Sequence, residues 1–443
     1  MRRSLTTASV RRPVGTTAPA GDSGLAGVGL TEVPAPSRRR PTRGASRRTL
    51  RRHGSVTALP TPAPAGGRLR VLVVSESFLP QINGVTNSVR RVLEHLAAEG
   101  HDAELVAPTG PATYAGFPVT TCRGAHLPFY RDFRIGLETR RRLRATMERY
   151  RPDVVHIASP ATLGYQAARA ANDLGIPTVA IYQTDLVGFA DRYGIAGGTR
   201  AMAYLTRRIH TSVDRTLAPS TASLRQLEEM QVDGLGHWPR GVDLTQFDPA
   251  CRDEQLRARL APNGEVLVGY IGRLAPEKEL ELLAHVDRLP GVRVVIVGGG
   301  PEEDRLRSLL PDAAFLGVLH GEELGAAYAS LDVFVHTGRH ETYCQAAQEA
   351  LASGVPVVAP RAGGPVDVVD DGTAGFLYEP GDGAALASYV ALLAEQPALR
   401  RRVALAARRS VEGRSWAAVN ALLVRHYREV VAARRAPDAA RAA

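Results

Sequence analysis

Residues 340–350 read His-Glu-Thr-Tyr-Cys-Gln-Ala-Ala-Gln-Glu-Ala, and this stretch decides how the chain is predicted to fold. A short, largely apolar run at Asp332–Val335 comes just before it and predicts a buried strand. Helical spacing then extends over residues 344–353 and stops at Gly354, after which Val355–Ala359 predicts a second strand. A strand, a helix and a strand in this order are typical of a parallel β-α-β unit.

The same alternation continues on both sides of this unit. In the second half of the chain, the other predicted strands are Glu265–Ile271, Arg293–Val297 and Ala313–Leu316, with helices at 279–288, 301–310, 322–330 and 382–395. In the first half, the predicted strands are Arg70–Val74, Ala103–Ala107, Asp153–Ile157, Thr178–Tyr182 and Arg215–Ala218, with helices at 138–149, 162–173, 200–212 and 220–230. The pattern predicts an α/β protein with two Rossmann-like, doubly wound domains that face each other across a cleft, where ligands bind.

Composition and turn signals divide the chain further. Proline, glycine, asparagine and aspartate cluster between the two halves and predict a joint there. The predicted segments are a disordered Arg-rich tail at 1–67, a first Rossmann-like domain at 68–240, a linker at 241–264, a second Rossmann-like domain at 265–405, a C-terminal helix at 406–433 and a flexible end at 434–443.

The positive charge belongs to the tail. The chain has 55 basic and 45 acidic residues, a net charge of +10, and residues 1–67 contain twelve arginines but only Asp22 and Glu32 as acids. The rest of the chain is therefore neutral overall and predicts no nucleic-acid-binding face. The tail is either a dispensable extension or an arm that contacts anionic lipid or nucleic acid.

Several other classes of protein are disfavoured. No run of about 18 apolar residues predicts a membrane-spanning helix, and three widely spaced cysteines fit a reduced, cytoplasmic protein without a disulfide framework. We expect no metal site and no cofactor. The run Arg140-Arg141-Arg142-Leu143-Arg144 on a predicted helix is either a solvated face or a peripheral contact with anionic membrane at the inner face of the plasma membrane.

Lys278 is the only lysine among the 55 basic residues, in the stretch Gly272-Arg273-Leu274-Ala275-Pro276-Glu277-Lys278. A position that keeps lysine in so arginine-rich a chain favours a need for a compact ammonium, such as a point charge against a phosphate. The alternative is a surface lysine without a function. Arg273 lies five residues upstream in the same turn and supports the first interpretation.

Three glycine-containing or helix-opening segments could bind an anion. Gly84 lies between the first strand and the first helix, and the turn 298–301 reads Gly-Gly-Gly-Pro after a predicted strand. The turn lacks the G-x-G-x-x-G spacing of a dinucleotide site, and no acid ends the next strand. The backbone N–H groups of residues 342–345 are predicted to open a helix and to form the strongest of the three anion sites.

Glu341 and Glu349 flank that helix opening. Helix geometry places the two carboxylates roughly 10 Å apart, which is about the span from a hexose across a diphosphate to a ribose. Carboxylates accept hydrogen bonds from sugar hydroxyls. Glu349 lies among Ala346, Ala347 and Leu351, so a merely solvated role is disfavoured and a polar partner is expected.

Together these features resemble the retaining glycosyltransferases of family 4, which have the GT-B fold. The resemblance covers residues 70 to about 430 and is carried by several matching segments. They are the E-x7-E pattern from Glu341 to Glu349, Gly272-Arg273 with Glu277-Lys278, Gly299-Gly300-Pro301, residues 353–359, Gly363-Gly364, and Asp371-Gly372 before Gly375-Phe376-Leu377.

The resemblance implies roles for individual residues. Arg273 and Lys278 would hold the diphosphate of a sugar nucleotide, Glu341 the donor sugar and Glu349 the ribose. The first domain would bind the acceptor, and the last helix would return to it. The remaining residues implied to contact the donor are Gly84 and Gly299 near the phosphates, Val318 and Leu319 at the base, and Thr342, Tyr343, Cys344 and Gln345 at the helix opening.

One position departs from the family pattern. Many relatives carry a histidine after the strand that here ends in Tyr182, but this chain has Gln183, so Gln183 or Asp185 is the expected substitute. The Tyr-Gln-Thr-Asp sequence resembles actinobacterial mannosyltransferases that use GDP-mannose. The implied function is metal-independent transfer of a hexose, most simply mannose, from a GDP- or UDP-sugar to a lipid or glycan hydroxyl. The alternatives are another sugar-nucleotide transferase, a sugar-nucleotide epimerase, and a nucleic-acid-binding protein acting through its tail.

Overall fold

The computed structural model describes residues 67–442 except Ile82, residues 128–129 and residues 184–197. Nearly all of the predicted tail and Asp185 therefore lie outside the described residues. Two parallel sheets, each between layers of helices, form the described part of the chain. The predicted α/β class with two Rossmann-like domains is confirmed.

The first sheet has eight strands in the order β10-β9-β8-β7-β1-β2-β4-β3, all parallel except the short β3. Its strands are β1 (Arg70–Val74), β2 (Asp102–Ala107), β3 (Thr113–Tyr114), β4 (Phe117–Thr121), β7 (Val154–Ile157), β8 (Thr178–Ile181), β9 (Arg215–Ala218) and β10 (Leu235–His237). A separate hairpin consists of β5 (Gly124–Leu127) and β6 (Tyr130–Gly136). The helices are Gly84–Ala98, Arg140–Tyr150, Thr162–Asp173, Gly198–His210 and Thr221–Glu229.

The second sheet has six parallel strands in the order β13-β12-β11-β14-β15-β16. They are β11 (Val266–Ile271), β12 (Val292–Val297), β13 (Ala314–Gly317), β14 (Val333–Val335), β15 (Val357–Pro360) and β16 (Gly375–Tyr378). The helices are Glu254–Leu260, Ala284–Asp287, Glu303–Leu309, Gly321–Ala329, Gln345–Ala352, Pro365–Val368, Gly383–Glu395, Pro397–Val411 and Trp416–Ala442. Short 3₁₀ turns lie at Pro249–Cys251, Pro276–Lys278 and Leu280–Leu283.

Three of the differences from the sequence-based expectation concern a predicted helix, the linker and the end of the chain. The predicted helix at 279–288 is broken, because Glu279 is left-handed (φ 51°) and separates two 3₁₀ turns. The predicted linker contains the helix Glu254–Leu260, whose first turn is capped by the Asp253 carboxylate. The last helix continues to Ala442 instead of ending at residue 433, so the predicted flexible end is helical as far as that residue.

The last helix packs against the first sheet, as the resemblance implied. Val419, Leu423 and Tyr427 belong to the same buried apolar cluster as the strands β1 and β2. The Tyr427 hydroxyl lies 2.7 Å from Nδ1 of His156 on β7, and burial lowers the pKa of that imidazole to about 3. The chain therefore connects the two halves twice, once at residues 240–242 and once where the last helix returns to the first sheet.

Candidate active site

The candidate site is built from loops that leave the carboxyl ends of the second sheet. Residues 272–278 follow β11, residues 298–301 follow β12, and residues 336–344 follow β14. Parallel strands bring such loops to one edge of a sheet, where ligands of doubly wound folds bind. This is the edge at which the sequence predicted the donor site.

An ion pair joins two of these loops. The Lys278 ammonium donates to Oε1 of Glu341, and the side chains are only 21 % and 19 % exposed. The Thr337 hydroxyl donates to the carbonyl of Lys278 and fixes the backbone beneath the pair. The sequence analysis assigned the ammonium to a phosphate and the carboxylate to a sugar, whereas in this structure the two groups are each other's counterions.

The pair is ionised. Burial alone would raise the pKa of Glu341, but the Lys278 ammonium and the His336 imidazole beside it outweigh burial and lower that pKa. Burial likewise opposes the charge on Lys278, yet the Glu341 carboxylate raises the pKa of the ammonium above its ordinary value. Both groups therefore carry their charges at neutral pH, in a site that is poorly accessible to water.

Arg273 lies at the mouth of the same site. Its side chain is 46 % exposed and forms an ion pair with Glu277, four residues further on. The Tyr270 hydroxyl donates to the carbonyl of Arg273 at 3.0 Å, so the backbone of the loop is anchored to β11. A second cation thus lies on the loop that carries Lys278, but nearer to the solvent.

The glycine turn after β12 lets two loops approach each other. Gly298 has φ 136°, and a Cβ built there would lie 1.9 Å from the carbonyl oxygen of Gly272. The backbone N–H of Leu274 donates to the carbonyl of Gly299 at 3.0 Å. Close backbone contact explains why glycine is needed at 298. A phosphate contact by Gly299 remains a prediction.

The helix that carries Glu349 begins at Gln345, one residue after the predicted start at 344, so Thr342, Tyr343 and Cys344 of the predicted opening precede it. Cys344 caps this helix in a left-handed conformation with φ 72°. Such a conformation is uncommon for a residue with a side chain and typically costs about 1 kcal/mol or more. The first helical turn, from Gln345 onward, directly follows the loop of Glu341, and the N–H groups of a first turn have no partner within their helix.

Glu349 lies in the interior of that helix and has the polar partner that the sequence analysis expected. The Tyr328 hydroxyl donates to Oε2 of Glu349 at 3.0 Å. Burial raises the pKa of this carboxyl to about 7, although Tyr328, Gln345 and Arg240 act in the opposite direction. Val318 follows β13 and is 61 % exposed, and its Cγ2 would lie 3.2 Å from a Cβ built at Gly299.

The first domain contributes Gln183, and both polar atoms of its side-chain amide form hydrogen bonds within the protein. Nε2 donates to the carbonyl of Ala158 at 2.7 Å, and Oε1 accepts from Nη1 of Arg240 at 2.5 Å. Arg240 also donates through Nη2 to the carbonyl of Gly84 at 2.6 Å. Gly84 is the first residue of its helix, so in this structure its carbonyl holds an arginine, whereas its predicted approach to phosphates remains a prediction.

Arg240 is a residue that the sequence analysis missed. It is only 8 % exposed, and burial lowers the pKa of its guanidinium to about 10. Its backbone carbonyl accepts from Nε2 of Gln348 at 2.9 Å and from the Tyr343 hydroxyl at 3.3 Å, while the carbonyl of Gly241 accepts from Gln345 at 3.0 Å. One residue is thus held by the Glu349 helix through its main chain and by the first domain through its side chain. In the sequence, only the position of Arg240 at the predicted end of the first domain could have indicated its role.

Comparison of the chain with known proteins identifies glycosyltransferases as its relatives. The family model described as Glycosyltransferase Family 4 matches residues 82–246, and the one described as Glycosyl transferases group 1 matches residues 252–410. The chain is 48% identical over 386 residues to a GDP-mannose-dependent alpha-mannosyltransferase of Mycobacterium tuberculosis, a match that covers 84% of this chain and 99% of the relative.

The chain belongs to glycosyltransferase family 4. It is also 42% identical to a GDP-mannose-dependent alpha-mannosyltransferase of Corynebacterium glutamicum, over 82% of this chain and 90% of that relative. Among solved structures, Anabaena Alr3699/HepE in complex with UDP superimposes with a TM-score of 0.67 at 18% identity, covering 82% of this chain and 100% of that one. That similarity shows the GT-B fold, which is confirmed for this glycosyltransferase.

The Arg240 geometry generates a prediction for the glycosyltransferase. Arg240→Lys keeps the positive charge, but an ammonium cannot bridge Gln183 and Gly84 as the forked guanidinium does. We expect donor turnover to fall about tenfold, which corresponds to about 1.4 kcal/mol in the barrier. Arg91→Lys is the matched control, because Arg91 contacts Asp243 near the same joint but is 30% exposed. Parental turnover of folded Arg240→Lys would contradict the role.

Proposed function

We propose that this glycosyltransferase transfers mannose from GDP-mannose to a hydroxyl of a lipid or glycan acceptor, with retention of the anomeric configuration. The observation that carries the proposal is the buried ion pair of Lys278 and Glu341 at the carboxyl ends of the second sheet, with Glu349 on the helix that follows the Glu341 loop. Three relatives at 42–48% identity are GDP-mannose-dependent alpha-mannosyltransferases, and this supports mannose and guanine over other donors.

In this proposal each group of the site serves one part of the donor. Lys278 and Arg273 bind the diphosphate, together with the free N–H groups that open the Glu349 helix. Glu349 accepts hydrogen bonds from the ribose hydroxyls, and Glu341 accepts one from a hydroxyl of the mannose. The exposed surface at Val318 and the adjoining Leu319 lies against the base.

The chemistry then depends on neutralising the leaving group. The bond between the anomeric carbon and the phosphate oxygen breaks, and negative charge grows on the departing diphosphate. Lys278, Arg273 and the helix opening stabilise that charge, because preorganised donors in a water-poor site favour the transition state over the ground state. The departing phosphate oxygen takes the proton of the acceptor hydroxyl on the same face, and the new bond forms there with retention.

Gln183 acts in this proposal through its position. Its amide is engaged by Ala158 and Arg240, so it forms a fixed wall of the site beside the reacting centre. Asp185 keeps its proposed role as a substitute for the family histidine, and it lies outside the described residues.

For location, we propose a cytoplasmic enzyme with peripheral contact to anionic membrane. No helix in the described ranges is long and apolar enough to cross a membrane. On the predicted lipid-contacting helix, Arg140 pairs with Asp173, and Arg144 pairs with Glu148. These ion pairs offset part of its charge.

The helix Gly198–His210 carries Tyr204, which is 62 % exposed, and Leu205, which is 37 % exposed, beside arginines in its last turn. This second helix has the amphipathic character of an interfacial segment.

A thermal-shift series tests the donor assignment. A ligand that binds only the folded state raises the melting temperature. At a concentration one hundred times its Kd, it adds about 2.7 kcal/mol to the free energy of unfolding. We expect GDP and GDP-mannose to raise the melting temperature more than UDP, ADP and their sugar derivatives do. A larger shift with UDP-sugars would contradict guanine recognition, and no shift with any nucleotide would contradict the donor site itself.

Lys278 is expected to resist replacement even by arginine. Loss of one preorganised donor typically lowers kcat by about 10²–10³, and we expect Lys278→Ala to reach that range. Lys278→Arg keeps the charge but misplaces it, and turnover should fall about tenfold or more. Donor turnover and a matched circular-dichroism melt separate chemistry from folding. An arginine variant as active as the parent would contradict the proposed contact.

Glu349 generates a pH prediction. Its pKa of about 7 means that the carboxyl is protonated below that pH and ionised above it. Because an ionised carboxylate is the stronger acceptor for ribose hydroxyls, the Kd of GDP-mannose should fall as the pH rises through about 7. GDP-mannose is the suitable ligand, since its diphosphate does not titrate near that pH. Calorimetric titration should show this dependence in the exposed control Glu322→Gln and not in Glu349→Gln. A dependence that survives Glu349→Gln would contradict the ribose contact.

A further inference from the structure

Two nitrogen groups converge on the same carboxylate oxygen in the donor site. The Lys278 ammonium donates to Oε1 of Glu341, and Nε2 of His336 lies 3.3 Å from that same oxygen. The imidazole is adjacent to the oxygen but lacks the alignment of a hydrogen bond. The Glu341 carboxylate therefore has one hydrogen-bonded partner, Lys278, and a second nitrogen, Nε2 of His336, close by but not hydrogen-bonded to it.

His336 cannot move away from this position. It directly follows β14, its backbone N–H donates to the carbonyl of Val358 at 2.9 Å, and its carbonyl accepts from the Tyr378 hydroxyl at 3.1 Å. Its ring stacks on Tyr270 with centroids 6.4 Å apart and planes inclined by 16°. The side chain is only 3 % exposed. Lys278, by contrast, has a long flexible side chain and can change partners.

His336 is unusual among the buried side chains because neither ring nitrogen has a hydrogen-bond partner within the described residues. Buried polar groups are nearly always paired, so an unpaired one suggests that a partner arrives in another state of the site. The titratable groups that face the ring are Glu341, Cys344 and Tyr270, with the Tyr378 hydroxyl on its backbone carbonyl. Burial opposes a charge on His336, but Cys344 and Glu341 outweigh it and raise the pKa of the imidazole.

Under the proposed function, Glu341 needs a second partner such as His336. When Lys278 turns to the diphosphate of the donor, Glu341 loses the ammonium that balances its charge. A buried carboxylate left without a partner is strongly unfavourable, and that penalty would oppose binding of the donor. The structure provides a single imidazole, fixed 3.3 Å away, that can replace the ammonium.

We propose that His336 is a positioning residue that takes over Oε1 of Glu341 when Lys278 moves to the donor diphosphate. The exchange keeps Glu341 ionised and oriented toward the sugar, and it releases Lys278 for the leaving group. This inference rests on the proposed contact between Lys278 and the diphosphate. It predicts that His336 matters more for the donor complex than for the ligand-free fold, in which Lys278 is the hydrogen-bonded counterion of Glu341.

A double-mutant cycle with Glu341 tests the exchange. His336→Gln keeps a polar side chain but cannot become charged, and we expect it to weaken GDP-mannose binding about tenfold while the ligand-free melting temperature falls only slightly. In the Glu341→Gln background, the same substitution should have little further effect, because a neutral amide needs no counterion. His285→Gln, an exposed histidine of the same domain, should leave binding unchanged.

Any other outcome of this double-mutant cycle contradicts the inference. Equal loss of binding in both backgrounds, or a large fall in the ligand-free melting temperature, including failure to fold, would make His336 a structural residue. Unchanged binding of His336→Gln would show that Glu341 needs no second partner. The control for the proposed function is separate: if the parent enzyme does not bind GDP-mannose at all, the donor assignment fails before the exchange is tested.

Discussion

The ion pair between Lys278 and Glu341 holds the proposed donor site together, because it joins the loop after β11 to the loop after β14. The loop that carries Glu341 is held from its other side as well, since the backbone N–H of Gly364 donates to the carbonyl of Glu341 at 2.7 Å. A Cβ at Gly364 would lie 2.3 Å from the backbone of Tyr343, so only glycine permits this approach. A buried pair of opposite charges is stable only while both partners remain. Any ligand that engages one of them must therefore leave the other with a replacement.

The same constraint extends to the first domain through Arg240. Its carbonyl is held by Gln348 of the Glu349 helix, and its guanidinium reaches Gln183 and Gly84. A shift of the Glu349 helix would thus move an arginine that contacts two loops of the opposite sheet. The two halves thus share a buried cation, which gives a physical reason for them to act together. The return of the last helix, with Tyr427 against His156, adds a second connection.

Much of this arrangement could be predicted from sequence, and the exceptions have physical causes. Apolar runs such as those of β1 and β11 are long enough to mark buried parallel strands, and Lys278, Glu341 and Glu349 stood out by residue type and spacing. The hairpin β3–β4 escaped prediction because β3 has two residues and no apolar run. The break at Glu279 depends on a left-handed backbone, which glutamate rarely adopts. Arg240 was missed because its partners, Gly84 and Gln183, lie 156 and 57 residues away in the chain.

The crystal structure of the enzyme with a donor analogue that cannot be transferred, GDP-2-fluoro-mannose, tests the central claim most directly. The account predicts that the Lys278 ammonium bonds an oxygen of the diphosphate and no longer contacts Glu341. It also predicts that Nε2 of His336 then donates to Oε1 of Glu341, and that Glu349 accepts from the ribose hydroxyls. A complex in which the diphosphate is bound while Lys278 remains on Glu341 would contradict the account, because the lone lysine would then serve the protein and not the leaving group.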